Sequence, residues 1–252
     1  MTPHSARPWP YPRWVAHRGA GTLAPENTLA AFRKGAEHGY RMFECDAKLS
    51  ADDVVFLMHD ATLHRTTNGH GIGGELNWQQ LSQLDAGSWH SRNFSGEPLP
   101  TLANVAQFCI RNRYFLNIEI KPTPGVEFKT GEVVAREAAQ IWQHEAAPPL
   151  LTSFQVDALK GAFKAAPQLP RGLLLHSLTE GWLDTAKSLE CCAVVCLYAL
   201  WTPDTVKAVH DAGYLLKMYV DSRVLQRSGV RADGLDRRLA DADMGTDVQL
   251  FE

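Results

Sequence analysis

Between Val15 and Asp60 the chain sets out His17 and Arg18, then Glu44 and Asp46, then His59. A third carboxylate, Glu119, stands two residues before Lys121. Converging carboxylates repel one another unless a proton or a cation joins them. Oxygen-only ligands suit a hard divalent cation, Mg²⁺ or Ca²⁺. A guanidinium and an ammonium beside that ion, Arg18 and Lys121, suit a phosphate. Imidazoles titrate near neutrality, so His17 and His59 suit proton transfer. Together these groups describe metal-assisted cleavage of a phosphodiester. Taken singly, each has a bland reading. A histidine at a strand end is commonly structural, Glu44 and Asp46 could be a solvated strand face, and Glu119-Ile120-Lys121 could be a salt-bridged surface strand. Their occurrence at successive strand ends carries the chemical reading.

The elements that must position these residues follow from hydrophobic periodicity. Trp14–Ala16 reads as a short strand. A helix starts at Pro25-Glu26-Asn27-Thr28, with Leu29, Phe32 and Ala36 on one face and Gly39 at its end. Met42–Leu49 and Val54–His59 read as strands flanking the polar turn 50–53. If Leu49 pairs with Val54, Glu44 faces His59, Asp46 faces Leu57, and Glu44, Asp46 and His59 share one face; a slip of one residue would break this. Residues 61–100, rich in glycine and turn signals, read as an inserted excursion with a helix near 77–84.

Strand–helix alternation then resumes. Strands are expected at 114–121, 150–154, 172–176, 192–198 and 215–220. Helices are expected from Thr101 to about Arg111 and at 131–144, 156–165, 180–189 and from Thr202-Pro203 to Ala212. Such alternation predicts a parallel sheet, here an α/β barrel of TIM type within a single domain over 1–252. Seven barrel strands are visible, and the tail must supply the eighth. In such a barrel the working residues sit at the C-terminal strand ends, where His17, Glu44, Asp46 and Glu119–Lys121 are expected.

Composition narrows the partners. A net charge of −3 offers no basic surface for nucleic acid. No apolar run reaches the ~18 residues of a membrane span, and the first residues lack the apolar segment of a secretory leader. The five cysteines, Cys45, Cys109, Cys191, Cys192 and Cys196, lack zinc spacing and read as buried free thiols. A cytoplasmic home is the expectation. His38, His64, His70, His90, His144, His176 and His210 have no comparable context and are assigned to surface or packing. Trp78, Trp89 and Trp201 are assigned to core or pocket wall.

A run of motifs then adds to this reading: AHRG (16–19), APENT (24–28), ECDAKLS (44–50), HD (59–60), RTTNG (65–69), GELNW (74–78), DAGSW (85–89), GEPLPTL (96–102), NIEIKP (117–122), PPLLTSF (148–154) and LPRGLLL (169–175). With these the chain resembles the glycerophosphodiester phosphodiesterase family, of bacterial cytoplasmic type, over roughly residues 10–218. The resemblance implies a TIM barrel with a small insertion after the second strand. It implies that His17 and His59 are the acid/base pair, that Glu44, Asp46 and Glu119 bind one divalent cation, and that Arg18 and Lys121 contact phosphate. It implies that Glu26 and Asn27 support these groups from behind. The reaction would release sn-glycerol 3-phosphate and an alcohol, through a cyclic phosphate or by direct attack of water.

The tail departs from the family pattern. Residues 221–252 hold five arginines, seven acids and no lysine, and their candidate closing segments, 229–235 and 246–250, are interrupted by aspartates. An open barrel would expose strand edges and invite association of copies, so a marginal tail and a homo-oligomer are expected. Two other functions compete: a phospholipase D-like enzyme on lysolipids or sphingolipids, and a non-catalytic phosphodiester-binding protein. No amphipathic membrane-binding stretch favours the first, and the complete set of site residues opposes the second.

Overall fold

The computed structural model describes residues 9–197, 200–219 and 249–251. In chain order the elements are β1 (Trp14–Val15), α1 (Leu29–Glu37), β2 (Met42–Leu49), β3 (Val55–Leu57), α2 (Trp78–Leu81), α3 (Leu102–Asn112), β4 (Phe115–Ile120) and α4 (Glu127–Ile141). They continue with β5 (Leu150–Ser153), α5 (Val156–Ala165), β6 (Arg171–Leu175), α6 (Trp182–Ser188), β7 (Ala193–Leu197), α7 (Pro203–Asp211), β8 (Leu215–Tyr219) and β9 (Gln249–Phe251). The strands form one sheet in the order β1-β9-β8-β7-β6-β5-β4-β2-β3. Among these described strands only β2 and β3 pair antiparallel. A parallel bridge between Ala16 and Phe43 joins β1 to β2 and closes the ring. Without β3, eight parallel strands remain, which is the TIM barrel.

Closure runs through β9, whose backbone pairs with β1 on one side and β8 on the other. The closing strand is described over Gln249–Phe251, which overlaps the segment expected at 246–250; the rest of that segment lies outside the described residues. Open strand edges, the reason given for association, are therefore absent at this point. The expected marginal tail falls on residues outside those described.

Apolar residues fill both sides of the sheet. Val15, Met42, Leu150, Leu174 and Val195, from five strands, form one buried cluster with Tyr11. Strands on opposite sides of a ring can meet only through its interior, so this cluster fills the barrel. Outside, a larger core gathers residues of α1, α3, α4 and α5 against β2 and β4, and a second core packs α6 and α7 against β6 and β7. Thr101 and Thr202 cap α3 and α7 in reciprocal capping boxes.

Helices α4 and α5 approach closely because glycines face each other's backbone. A Cβ on Gly131 would lie 1.9 Å from the Ala158 carbonyl oxygen, and one on Gly161 would lie 2.1 Å from that of Phe128. This explains a correction: α4 begins at Glu127 rather than at Gly131, since the glycine serves a helix crossing and does not mark a boundary. Helix α2 is likewise shorter than the span 77–84 expected for it.

The β2–β3 register also differs. The pairs are Ala47 with Leu57, Lys48 with Phe56 and Leu49 with Val55, one residue away from the expected pairing. The connecting loop takes in Val54, whose amide donates to the Ser50 hydroxyl and whose carbonyl accepts from the Ser50 amide, while Asp53 adopts φ 64°. Asp46 thus lies opposite Met58, whose amide donates to the Asp46 carbonyl. His59 lies past the end of β3, free of strand alternation.

Candidate active site

The parallel register of β2 and β4 sets Asp46 beside Glu119 and Glu44 beside Asn117. Alternation along β2 then brings Glu44 and Asp46 to the same face. One oxygen from each of Glu44, Asp46 and Glu119 lies within 4.8 Å of the others, and all three residues are buried. Glu119 stands at the end of β4, as expected, but Glu44 and Asp46 lie inside β2, because that strand runs on past the barrel wall to pair with β3.

The loop after β1 arrives from the other side. Its shape depends on two glycines: Gly19 has φ +96°, and a Cβ on Gly35 of α1 would lie 2.1 Å from the Gly19 carbonyl oxygen. This approach seats His17-Arg18-Gly19 over the carboxylates. Arg18 itself adopts φ 51° and Asn27 φ 59°, a conformation uncommon for residues with a side chain. The Arg18 amide donates to Glu44 Oε2 at 2.9 Å, and His17 Nε2 lies 3.9 Å from the same oxygen. Arg18 Nη1 donates to Glu26 Oε1 at 2.9 Å, and its Nε lies 3.3 Å from Asp46 Oδ2. Asn27 and Asp46 bond reciprocally: Asn27 Nδ2 donates to Asp46 Oδ2 at 2.8 Å, and the Asp46 amide donates to Asn27 Oδ1 at 3.0 Å. Lys121 Nζ donates to Glu119 Oε1 at 2.7 Å and lies 3.8 Å from Asp46 Oδ1. His59 Nδ1 lies 2.7 Å from Asp60 Oδ1.

The electrostatics are uneven. Burial and the neighbouring Asp46 and Glu119 push the Glu44 carboxyl well above the usual carboxylate range. Burial and Asp46 likewise push Glu119 up to about 7, against the pull of Lys121. Asp46 goes the other way: burial alone would raise it, but Arg18, Lys121 and His59 hold it down at about 2. Burial and the Arg18 cation lower His17, although its side chain is 43% exposed. Burial lowers His59 too, partly offset by Asp46.

A divalent cation fits this donor set. Glu44 Oε1 is buried and accepts no hydrogen bond among the described residues, and two of the three carboxylates are pushed toward the proton in its absence. Arg18 Nε is a buried donor with no hydrogen-bond partner among those residues, although Asp46 Oδ2 lies 3.3 Å away as an ion-pair partner.

Every site residue named from the sequence lies in this region. Two others, Lys48 and Arg65, were missed. Lys48 continues the Glu44, Asp46 alternation on β2; it is buried, donates to the Lys121 carbonyl at 2.7 Å, and burial pulls it down to about 8. His176, assigned to surface or packing, is exposed and stacks on Phe154 with centroids 3.9 Å apart, in keeping with that assignment, and the Lys121 ammonium lies 5.5 Å from the Phe154 ring centroid. Arg65 joins Glu26 to Asp60. The alternation could have shown Lys48; nothing in the sequence pairs His176 with Phe154.

Comparison with known proteins gives a consistent result. The sequence profile described as "Glycerophosphoryl diester phosphodiesterase family" matches residues 17–235. The chain is 31% identical over 232 residues to the glycerophosphodiester phosphodiesterase of Caldanaerobacter subterraneus subsp. tengcongensis, covering 90% of this chain and 93% of that one. A phosphodiesterase from Oleispira antarctica, solved in complex with the product sn-glycerol-3-phosphate, superposes with a TM-score of 0.83 at 27% identity, covering 96% of this chain and 93% of that one. A glycerophosphodiester phosphodiesterase from Agrobacterium tumefaciens superposes with a TM-score of 0.72 at 27% identity, covering 95% of each chain.

Proposed function

The chain belongs to the glycerophosphoryl diester phosphodiesterase family, and we propose that it hydrolyses a glycerophosphodiester to sn-glycerol 3-phosphate and an alcohol at the Glu44–Asp46–Glu119 cluster. The observation that carries this reading is that triangle of buried carboxylates, flanked by two histidines, a guanidinium and an ammonium.

Glu44, Asp46 and Glu119 would hold one divalent cation, Mg²⁺ or Ca²⁺. When bound, that cation supplies Lewis-acid stabilisation of the charge that grows on the phosphoryl oxygens. Arg18 and Lys121 bind the phosphate, Arg18 through the Nε that has no hydrogen-bond partner among the described residues. Glu26 and Asn27 hold Arg18 and Asp46 in place from behind.

The two histidines move the protons. One takes the proton of the attacking hydroxyl, either the glycerol 2-hydroxyl or water, as the new P–O bond forms. The other gives a proton to the leaving alkoxide as the old P–O bond breaks; where the 2-hydroxyl attacked, water then opens the cyclic phosphate with the two histidine roles exchanged. A carboxylate can only accept from a ring N–H, so Asp60 fixes His59 with its proton on Nδ1 and leaves Nε2 for the transfer. The five cysteines are all free thiols, which supports a reducing, cytoplasmic setting.

The test is release of sn-glycerol 3-phosphate from glycerophosphocholine, run beside a lysophospholipid. Product from the first substrate and little from the second is the expected result. Preference for the lysophospholipid would favour the phospholipase D-like alternative, and product from neither would sink both.

A further inference from the structure

We infer that Arg65 is a positioning residue, a clamp that sets His59 and Arg18 in register with each other across two separate loops. This rests on the proposed function for the roles of those two side chains. Arg65 belongs to the excursion after β3, and no chemistry has been assigned to it above. Its guanidinium grips two carboxylates at once. Nη1 donates to Glu26 Oε2 at 2.8 Å and Nη2 to Glu26 Oε1 at 2.7 Å. Nε donates to Asp60 Oδ2 at 2.5 Å and Nη2 to Asp60 Oδ1 at 3.0 Å.

Each of those carboxylates already holds a side chain of the site. Glu26 Oε1 accepts from Arg18 Nη1, and Asp60 Oδ1 is the oxygen against His59 Nδ1. A single planar cation thus joins the phosphate-facing arginine of the β1 loop to the proton-transfer histidine after β3. Two bidentate grips in one plane fix angle as well as distance. An ammonium is a point charge and cannot reproduce them. Without the guanidinium, Glu26 would be left with Arg18, and Asp60 would lose the cation that now grips both its oxygens. The Asp60 carboxylate would then lose the constraint that keeps it aimed at Nδ1.

The metal-loaded enzyme carrying Arg65→Ala or Arg65→Lys tests this through kcat and KM and through ¹⁵N NMR of the His59 ring. The expected result for Arg65→Ala is a fall in kcat of about 10- to 100-fold. KM should change less, and the His59 signal should move from a single Nδ1-protonated tautomer to a mixture. Arg65→Lys, which keeps the charge and guards against misfolding, should recover less than half of the lost kcat. Guanidinium ion added to Arg65→Ala should recover part of it. An unchanged His59 tautomer in both variants would overturn the clamp, as would a kcat within twofold of wild type, or a loss confined to KM. The ring measurement needs no turnover. A wild-type protein inactive on glycerophosphodiesters would therefore fail the functional reading while the clamp is still judged by NMR.

Discussion

The two sides of the barrel mouth are built from different chemistry. The β1, β2 and β4 side carries His17, Arg18, Glu44, Asp46, Glu119 and Lys121 in mutual contact. The opposite side, β5 to β7, has no acidic residue in any of its strands and brings up the neutral stack of Phe154 and His176. The first side is electrostatically costly: like charges are buried together and two carboxylates are pushed up toward the proton. The second is ordinary close packing, with α6 and α7 set against β6 and β7. The difference teaches that turnover and stability reside in separable parts of one barrel, and substitutions should sort accordingly.

The largest expected effect lies on the charged side. Asp46→Asn and Glu44→Gln should each weaken cation binding and bring turnover below detection while the fold is kept, as read by calorimetric metal titration and product release. Next come the histidines: His17→Ala and His59→Ala should each lose about 10²–10⁴-fold in kcat with metal content unchanged. Near wild-type kcat in either variant would make that histidine structural.

Gly161→Ala probes close packing away from the mouth, at the α4–α5 crossing. Forcing a Cβ against the Phe128 carbonyl should cost about 1–3 kcal/mol of stability and leave activity per folded molecule unchanged. A loss of kcat at constant folded fraction would break the separation of the charged site from the packing around it.

A pH experiment on metal-free protein sharpens the electrostatic half. Glu44 and Glu119 hold their protons to higher pH in the folded chain than in the unfolded one, where glutamate titrates near ~4.3. Between about pH 6.5 and 7.5 the folded state therefore binds more protons, and stability should fall as pH rises, by up to about 1.4 kcal/mol per pH unit for one retained proton. The lowered histidines act in the opposite sense, but only below their unfolded value of ~6.5. Denaturant midpoints across this window check the sign; Glu44→Gln should flatten the slope, and added cation should reverse it. The smallest effect belongs to Phe154→Ala, where loss of the ring beside Lys121 should raise KM by about tenfold or less with kcat nearly unchanged.

Much of this was legible in the sequence where periodicity alone decides. Met42–Leu49 and Val156–Ala165 form a strand and a helix over the spans read for them. The meeting of Glu44 and Asp46 with Glu119 follows from alternation and a parallel register. The β2–β3 register was not legible, because a left-handed Asp53 lengthens the loop by one residue and no local signal announces it. The site survives that slip because His59 leaves the strand before it is placed. Nor was Arg65 legible: its two carboxylates come from loops far apart in sequence, and only the folded barrel brings them to one guanidinium. The closing strand was legible in part: the segment read at 246–250 contains Gln249 and Leu250, but no long apolar run marked it out from 229–235.

The central claim, that the carboxylate triangle works through a divalent cation, is tested most directly by one assay. Protein stripped by chelator, with metal loss verified by elemental analysis, would be assayed for sn-glycerol 3-phosphate release from glycerophosphocholine before and after Mg²⁺ or Ca²⁺ is restored. The account predicts that turnover disappears on stripping and returns with one of the two ions. Full turnover by the verified metal-free protein would contradict it.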